Sequence, residues 1–124
     1  MQDWRKIIVV PQDPVAKAVE LLNKEGPHIV LVVDPQMKLV GTVTDGDVRR
    51  GLIRGLGLEC SVSEIMQGKP RFVTKKNGRK EILAQMKVLS VRQMPVLDED
   101  RVVVGLETLE NLNQKPRYDN PVFL

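Results

Sequence analysis

The apolar residues of this chain change period several times, and each change marks an element. Ile29 to Val33 is an unbroken apolar run; at five residues it reads as a strand covered on both faces. Ahead of it, Val15, Ala18, Val19 and Leu22 recur at helical spacing and predict one buried stripe. Asp13-Pro14 opens that helix, with Asp at the N-cap and Pro at the first helical position, and Gly26-Pro27 stops it. Ile7 to Val10 is a short strand after a polar lead-in, Met1 to Lys6. Asp34-Pro35-Gln36-Met37 makes a turn, Leu39 to Thr44 the next strand, and a helix from about Asp45 to Arg54 follows.

The second half runs through the same series. Gly55-Leu56-Gly57-Leu58 is a linker, and Ser61-Val62-Ser63-Glu64 carries a capping signal for a short helical turn. After Pro70 come a strand, Arg71 to Thr74, a loop at Asn77-Gly78 and a helix, Arg79 to Leu89, that buries Ile82, Leu83, Met86 and Leu89. Gln93 to Leu97 is a strand whose Pro95 favours an edge or a strand end. Glu99-Asp100 turns, Val102 to Leu106 returns, and Thr108 starts the last helix. The order β-α-β-β-α, twice, predicts an α/β fold in which two small mixed sheets pack against helices. Met37, Met66, Met86 and Met94 read as packing residues.

The two halves superpose in sequence. Setting Gly41 on Gly105 gives an offset of 105 − 41 = 64, and no gap is needed from Ile8/Phe72 to Val48/Leu112. Asp34 then falls on Asp98, Val32 on Val96, Val40 on Val104 and Thr44 on Thr108. Two copies of one unit are expected to share a fold and to pack about a pseudo-two-fold axis, since half of 124 residues buries too little surface to be comfortable alone.

Composition narrows the core and the partners. Aromatics are 3% of the chain, so a core drawn from 42% apolar residues rests on Val, Ile, Leu and Met. A net charge of +3 is too small to argue for nucleic acid. The basic residues gather in two knots, Arg49, Arg50 and Arg54, then Lys75, Lys76, Arg79 and Lys80, read as solvated surface or as phosphate contacts. One cysteine, Cys60, excludes an internal disulfide and a cysteine metal cluster. No signal-peptide pattern opens the chain and no apolar run approaches a membrane span, so the expected location is the cytoplasm.

The candidate chemistry sits at Gly41-Thr42-Val43-Thr44-Asp45-Gly46-Asp47, a strand-to-helix corner. Unpaired N–H groups and the helix dipole make such a corner able to hold a phosphate. Thr44 adds a hydroxyl and Asp47 a carboxylate one turn on. The same spacing also makes a capping box, with Asp47 reaching back to Thr44; both readings stand on spacing alone.

The pattern Gly41-Thr42-Val43-Thr44-x-x-Asp47, repeated as Gly105-Leu106-Glu107-Thr108-x-x-Asn111, resembles the CBS domain. So do Val62-Ser63-Glu64-Ile65-Met66 and Arg92-Gln93-Met94-Pro95-Val96-Leu97-Asp98. The resemblance covers about Lys6 to Asn113 and implies a tandem pair, a Bateman module, with one repeat over 1–57 and the second over 58–113. Such pairs hold adenosine nucleotides, here AMP, ADP, ATP or S-adenosylmethionine, and regulate an attached domain. Thr44 would then donate to a phosphate and Asp47 accept from the ribose hydroxyls, with Thr108 and Asn111 in those roles in the second repeat. Asn111 lacks charge and Glu107 and Glu110 flank it, which favours the first site. Arg92 and its counterpart His28 would meet phosphate, and Val9 and Val10 would hold the base.

Residues 114–124 read as a linker, Lys115-Pro116-Arg117-Tyr118-Asp119-Asn120, and then Pro121-Val122-Phe123-Leu124. The last four resemble the first strand of a sugar-nucleotide pyrophosphorylase (nucleotidyltransferase) domain, so a fused C-terminal catalytic domain is expected in a longer protein. The module itself is expected to be no enzyme and to need no cofactor or metal, for it has one His, one Cys and no ligand cluster of metal spacing. The expected partners are the nucleotide and a second copy in a homodimer. The alternative is a structural pairing module without a ligand.

Overall fold

A computed structural model describes residues 4–24 and 28–113. Its order is β1 (Ile8–Val9), α1 (Val15–Lys24), β2 (Val30–Val33), β3 (Leu39–Val43), α2 (Asp45–Ile53), then β4 (Val73–Thr74), α3 (Arg79–Leu89), β5 (Gln93–Leu97), β6 (Val103–Thr108) and α4 (Leu109–Asn113). This is β-α-β-β-α twice, as the hydrophobic pattern predicts. The stop at Gly26-Pro27 and the segment 114–124 lie outside the described residues.

Each repeat forms a three-stranded sheet with its middle strand in the centre, β1-β2-β3 and β4-β5-β6. The first pair of strands in each is parallel and the second antiparallel. The 64-residue offset holds at the level of register. Val32 pairs with Gly41 and Val96 with Gly105, and both antiparallel ladders slip at the next residue, Val33 and Leu97.

Alternation along β2 explains why its apolar run has no polar break. Leu31 and Val33 point into a core shared by both repeats, where they meet Leu39, Leu97, Val103 and Leu106. Val30 and Val32 point the other way, into a second core with Val15, Ala18 and Leu22 of α1. Ile82 and Met86 of α3 close a third core with Met94 and Leu112. With period 2 along the strand, every residue of β2 is then buried.

The pseudo-two-fold axis passes through one backbone bridge. Lys38 pairs antiparallel with Val102, its own counterpart (38 + 64 = 102). The Leu39 N–H donates to the Arg101 carbonyl at 3.1 Å and the Val103 N–H to the Met37 carbonyl at 3.0 Å, two bonds that the axis exchanges. The turns leading there are copies: Asp34 Oδ1 accepts from the Gln36 and Lys38 N–H groups, and Asp98 Oδ1 from those of Asp100 and Val102.

Several details depart from the sequence reading. Asp13 does not cap α1; its carboxylate accepts from the Val10 N–H at 2.9 Å and pairs with Lys17. The N–H groups that open α1 are met instead by linker carbonyls, Val15 to Cys60 and Ala16 to Leu58, at 2.8 and 2.9 Å. Pro95 lies in a central strand, not at an edge, yet β4 pairs only with Val96 and Leu97, so Pro95 sits beyond the end of that ladder. The lead-in is not merely polar: Trp4, in a 3-10 turn over Trp4–Ile7, is buried in the shared core. Of the four methionines read as packing, Met86 and Met94 are buried, whereas Met37 is exposed at the turn.

Candidate functional site

Thr44 follows β3 in extended backbone and forms the N-cap of α2. The Asp47 carboxylate turns back to it: Oδ2 accepts from the Thr44 N–H at 2.9 Å and from the Thr44 hydroxyl at 3.1 Å. The other oxygen, Oδ1, accepts from Arg50 Nη2 at 2.5 Å. Asp47 is buried, with 9% of its surface exposed, while the Arg50 side chain is largely open to solvent. The capping contact is therefore made in this structure, and Arg50 closes the carboxylate's outer side. Gly46 leaves room for that, because a Cβ there would stand 3.3 Å from Arg50 Nη1.

The second corner is built differently. Thr108 ends β6 and is 4% exposed. The Asn111 side chain is not among those described. Glu110 takes the place that Gly46 has in the first repeat (110 − 64 = 46). Its carboxylate meets Arg92, with Nη2 donating to Oε2 at 3.1 Å. A backbone hydrogen bond in the first turn of α4, then the Arg92 guanidinium, hold Glu110 below the usual carboxylate range, and the His28 imidazole acts in the same direction. A residue of the first repeat thus reaches the field of a carboxylate in the second.

Strand register explains how these groups gather. Val30 faces Val43, so His28, exposed and with φ 61°, lies at the same sheet end as Thr44. Gln93 faces Thr108, and the Leu109 N–H donates to the Arg92 carbonyl at 2.8 Å, which pins Arg92 beside the second corner. Val9 and Val10 lie at the other end of the first sheet, since β1 runs parallel to β2 with Val9 beside Val32. The Val9 side chain is committed to the α1 core, leaving its backbone; Val10 is 37% exposed. Thr74, the counterpart of Val10, lines a cavity of about 480 Å³ with Lys75, Lys76 and Leu97 to Asp100.

The basic knots are engaged locally. Arg54 donates to the Glu64 carbonyl, Arg79 to that of Leu112, and Lys76 pairs with Glu99. Two contacts escaped the sequence reading. The Asp47–Arg50 pair had a signal in its i,i+3 spacing. Arg92 and Glu110 are 18 residues apart, and only the β5–β6 register brings them together. Among the described residues no group of His, Cys, Asp and Glu is placed to hold a metal, and no helix is long and apolar enough to cross a membrane.

The family model of the CBS domain matches residues 4–54. A solved protein with CBS domains from Burkholderia ambifaria is 30% identical, and the match covers 85% of this chain and 76% of that one with a TM-score of 0.71. The chain belongs to the CBS-domain family. Its fold is that of a CBS pair: the crystal structure of CBSX2 in complex with AMP matches over 90% of this chain and 87% of that one, with a TM-score of 0.77 at 24% identity. Among curated relatives, arabinose 5-phosphate isomerase of Escherichia coli K12 is 33% identical over 107 residues, 81% of this chain and 31% of the isomerase. The CBS pair thus spans about a third of the length of the curated relatives it matches.

Proposed function

We propose that this CBS pair is a regulatory module that binds an adenosine nucleotide across its two repeats. The observation that carries the reading is the paired corner: two strand-to-helix bends related by one axis, the first with the buried Asp47 carboxylate and the second with the buried Thr108 and the Arg92–Glu110 pair. The architecture is shared with CBS pairs solved with AMP and with methylthioadenosine and S-adenosylmethionine. In this reading Thr44 donates to phosphate, Asp47 accepts from the ribose hydroxyls, and His28 and Arg92 meet phosphate charge. Thr108 and Asn111 form a weaker counterpart. Val9 and Val10, at the other end of the first sheet, stand apart from this corner and are left out of the base-holding role. The ligand is AMP, ADP, ATP or S-adenosylmethionine.

The ribose has to compete for Asp47, because Thr44 and Arg50 already satisfy both of its oxygens. That observation favours the second reading, a ligand-free pairing module. Calorimetry separates the two. Nucleotide binding predicts heat with at least one of the four ligands at or below millimolar concentration, reduced at least tenfold in affinity by Asp47→Ala, in line with a charged hydrogen-bond acceptor lost. A folded protein that gives no heat with any of them leaves the pairing module.

The remaining assignments belong to the same proposal. Repeat boundaries are 1–57 and 58–113. The module acts in the cytoplasm, associates as a homodimer and sits beside a fused catalytic domain. Pro121 to Leu124 point to a nucleotidyltransferase, while the isomerase relative points to another sugar-phosphate enzyme. The module has no catalytic role of its own.

A further inference from the structure

The two corners are copies in backbone but differ in the placement of charge. Gly46 opens α2 where Glu110 opens α4, and in the second repeat that carboxylate stands 3.1 Å from the Arg92 guanidinium. Arg92 is the cation that the nucleotide reading assigns to phosphate, so the inference rests on that reading. We propose that Glu110 is a built-in competitor for the ligand's phosphate, holding Arg92 until a phosphorylated ligand displaces it.

Three features support this. The pair is exposed on both sides, 64% for Arg92 and 65% for Glu110, so it is exchangeable and not a fixed part of the core. The Arg92 backbone is pinned through the Leu109 N–H, and among the described residues its guanidinium pairs with the Glu110 carboxylate. Glu107, on β6, adds a second negative charge to the same repeat, while Asp47 of the first repeat is occupied by Arg50 and Thr44. A phosphate arriving at Arg92 must therefore replace Glu110 and then bear its repulsion. The consequence is selectivity: the competitor weakens ligands through their phosphate and leaves the nucleoside part untouched.

The test compares AMP with adenosine on the wild type and on Glu110→Gln, by calorimetry. The expected result is AMP bound about two- to fivefold more tightly by the variant, the size of one exposed ion pair, with adenosine unchanged. Glu107→Gln serves as a control for bulk charge and is expected to give the smaller gain. AMP affinity unchanged or lowered in Glu110→Gln overturns the proposal while leaving the nucleotide reading in place, as does an equal gain for adenosine. Failure of both folded proteins to bind AMP, ADP, ATP or S-adenosylmethionine overturns both.

Discussion

Gly41 and Gly105 hold the same position in the two repeats, but only one of them is crowded. A Cβ at Gly41 would come within 2.5 Å of the Met66 sulfur and 3.1 Å of the Gln67 carbonyl oxygen, because the linker pairs there with Thr42. At Gly105 the nearest atom, Val96 Cβ, is an ordinary 3.6 Å away. Gly41→Ala is therefore expected to cost about 1–3 kcal/mol through overpacking, while Gly105→Ala is neutral or gains up to about 1 kcal/mol from lower chain entropy. Urea unfolding of the two variants measures the contrast, and equal losses would contradict it. The first motif glycine thus owes its identity to the linker, a neighbour that motif spacing does not reveal. Glu110 gives a pH signature at the same scale. Its carboxyl is held below the usual range, so its contribution to stability is present above the unfolded carboxylate pKa and is lost as pH falls through the folded one. The difference in thermal midpoint between wild type and Glu110→Gln is expected to disappear towards acid; a difference that persists below the carboxylate range would contradict the pairing.

At the scale of elements, the helix Arg79–Leu89 and the strand Gln93–Leu97 have the boundaries that periodicity predicts, because each is bounded by its own turn residues and packs one face locally. The start of α1 was not legible in the same way. Asp13-Pro14 satisfies every local rule for a cap, but linker carbonyls from residues 58 and 60 reach the first N–H groups and free the Asp13 side chain for Val10. Pro95 was misplaced for a related reason: the length of β4, not the chemistry of β5, decides whether its missing N–H matters. The two axis turns carry a prediction of their own. Asp34 and Asp98 each accept two backbone N–H bonds in matching geometry. Asp34→Ala and Asp98→Ala are each expected to cost about 1–2 kcal/mol, with similar losses in denaturant unfolding. A large loss at one turn and none at the other would show that the symmetry is not energetic.

For the whole molecule, the shared core makes the two repeats one folding unit. Leu31, Val33 and Leu39 are covered on that face by the second repeat's Leu97, Val103 and Leu106, with Phe72 packed beside them, and by the N-terminal Trp4 and Ile7. Trp4 is the sole tryptophan, so its fluorescence reports on the seam while far-ultraviolet dichroism reports on all helices. The two transitions are expected to coincide; a separate, earlier fluorescence step would mean that the repeats part before they unfold. The 64-residue offset made this pairing legible from sequence, since two small units with matched apolar faces have each other to cover them. The site was less legible. Motif spacing located Thr44, Asp47 and Thr108, but the capping contact and the Arg50 and Glu110 partners depend on side-chain directions and strand register that spacing does not carry.

The central claim is that an adenosine nucleotide is held at the first repeat's bend, and amide chemical-shift mapping during an AMP titration tests it most directly. The account predicts saturating shifts at Thr44, Gly46 and Asp47, with His28 and Arg92 following. Shifts confined to other surfaces, or none up to several millimolar with AMP and then with ADP, ATP and S-adenosylmethionine, would contradict it.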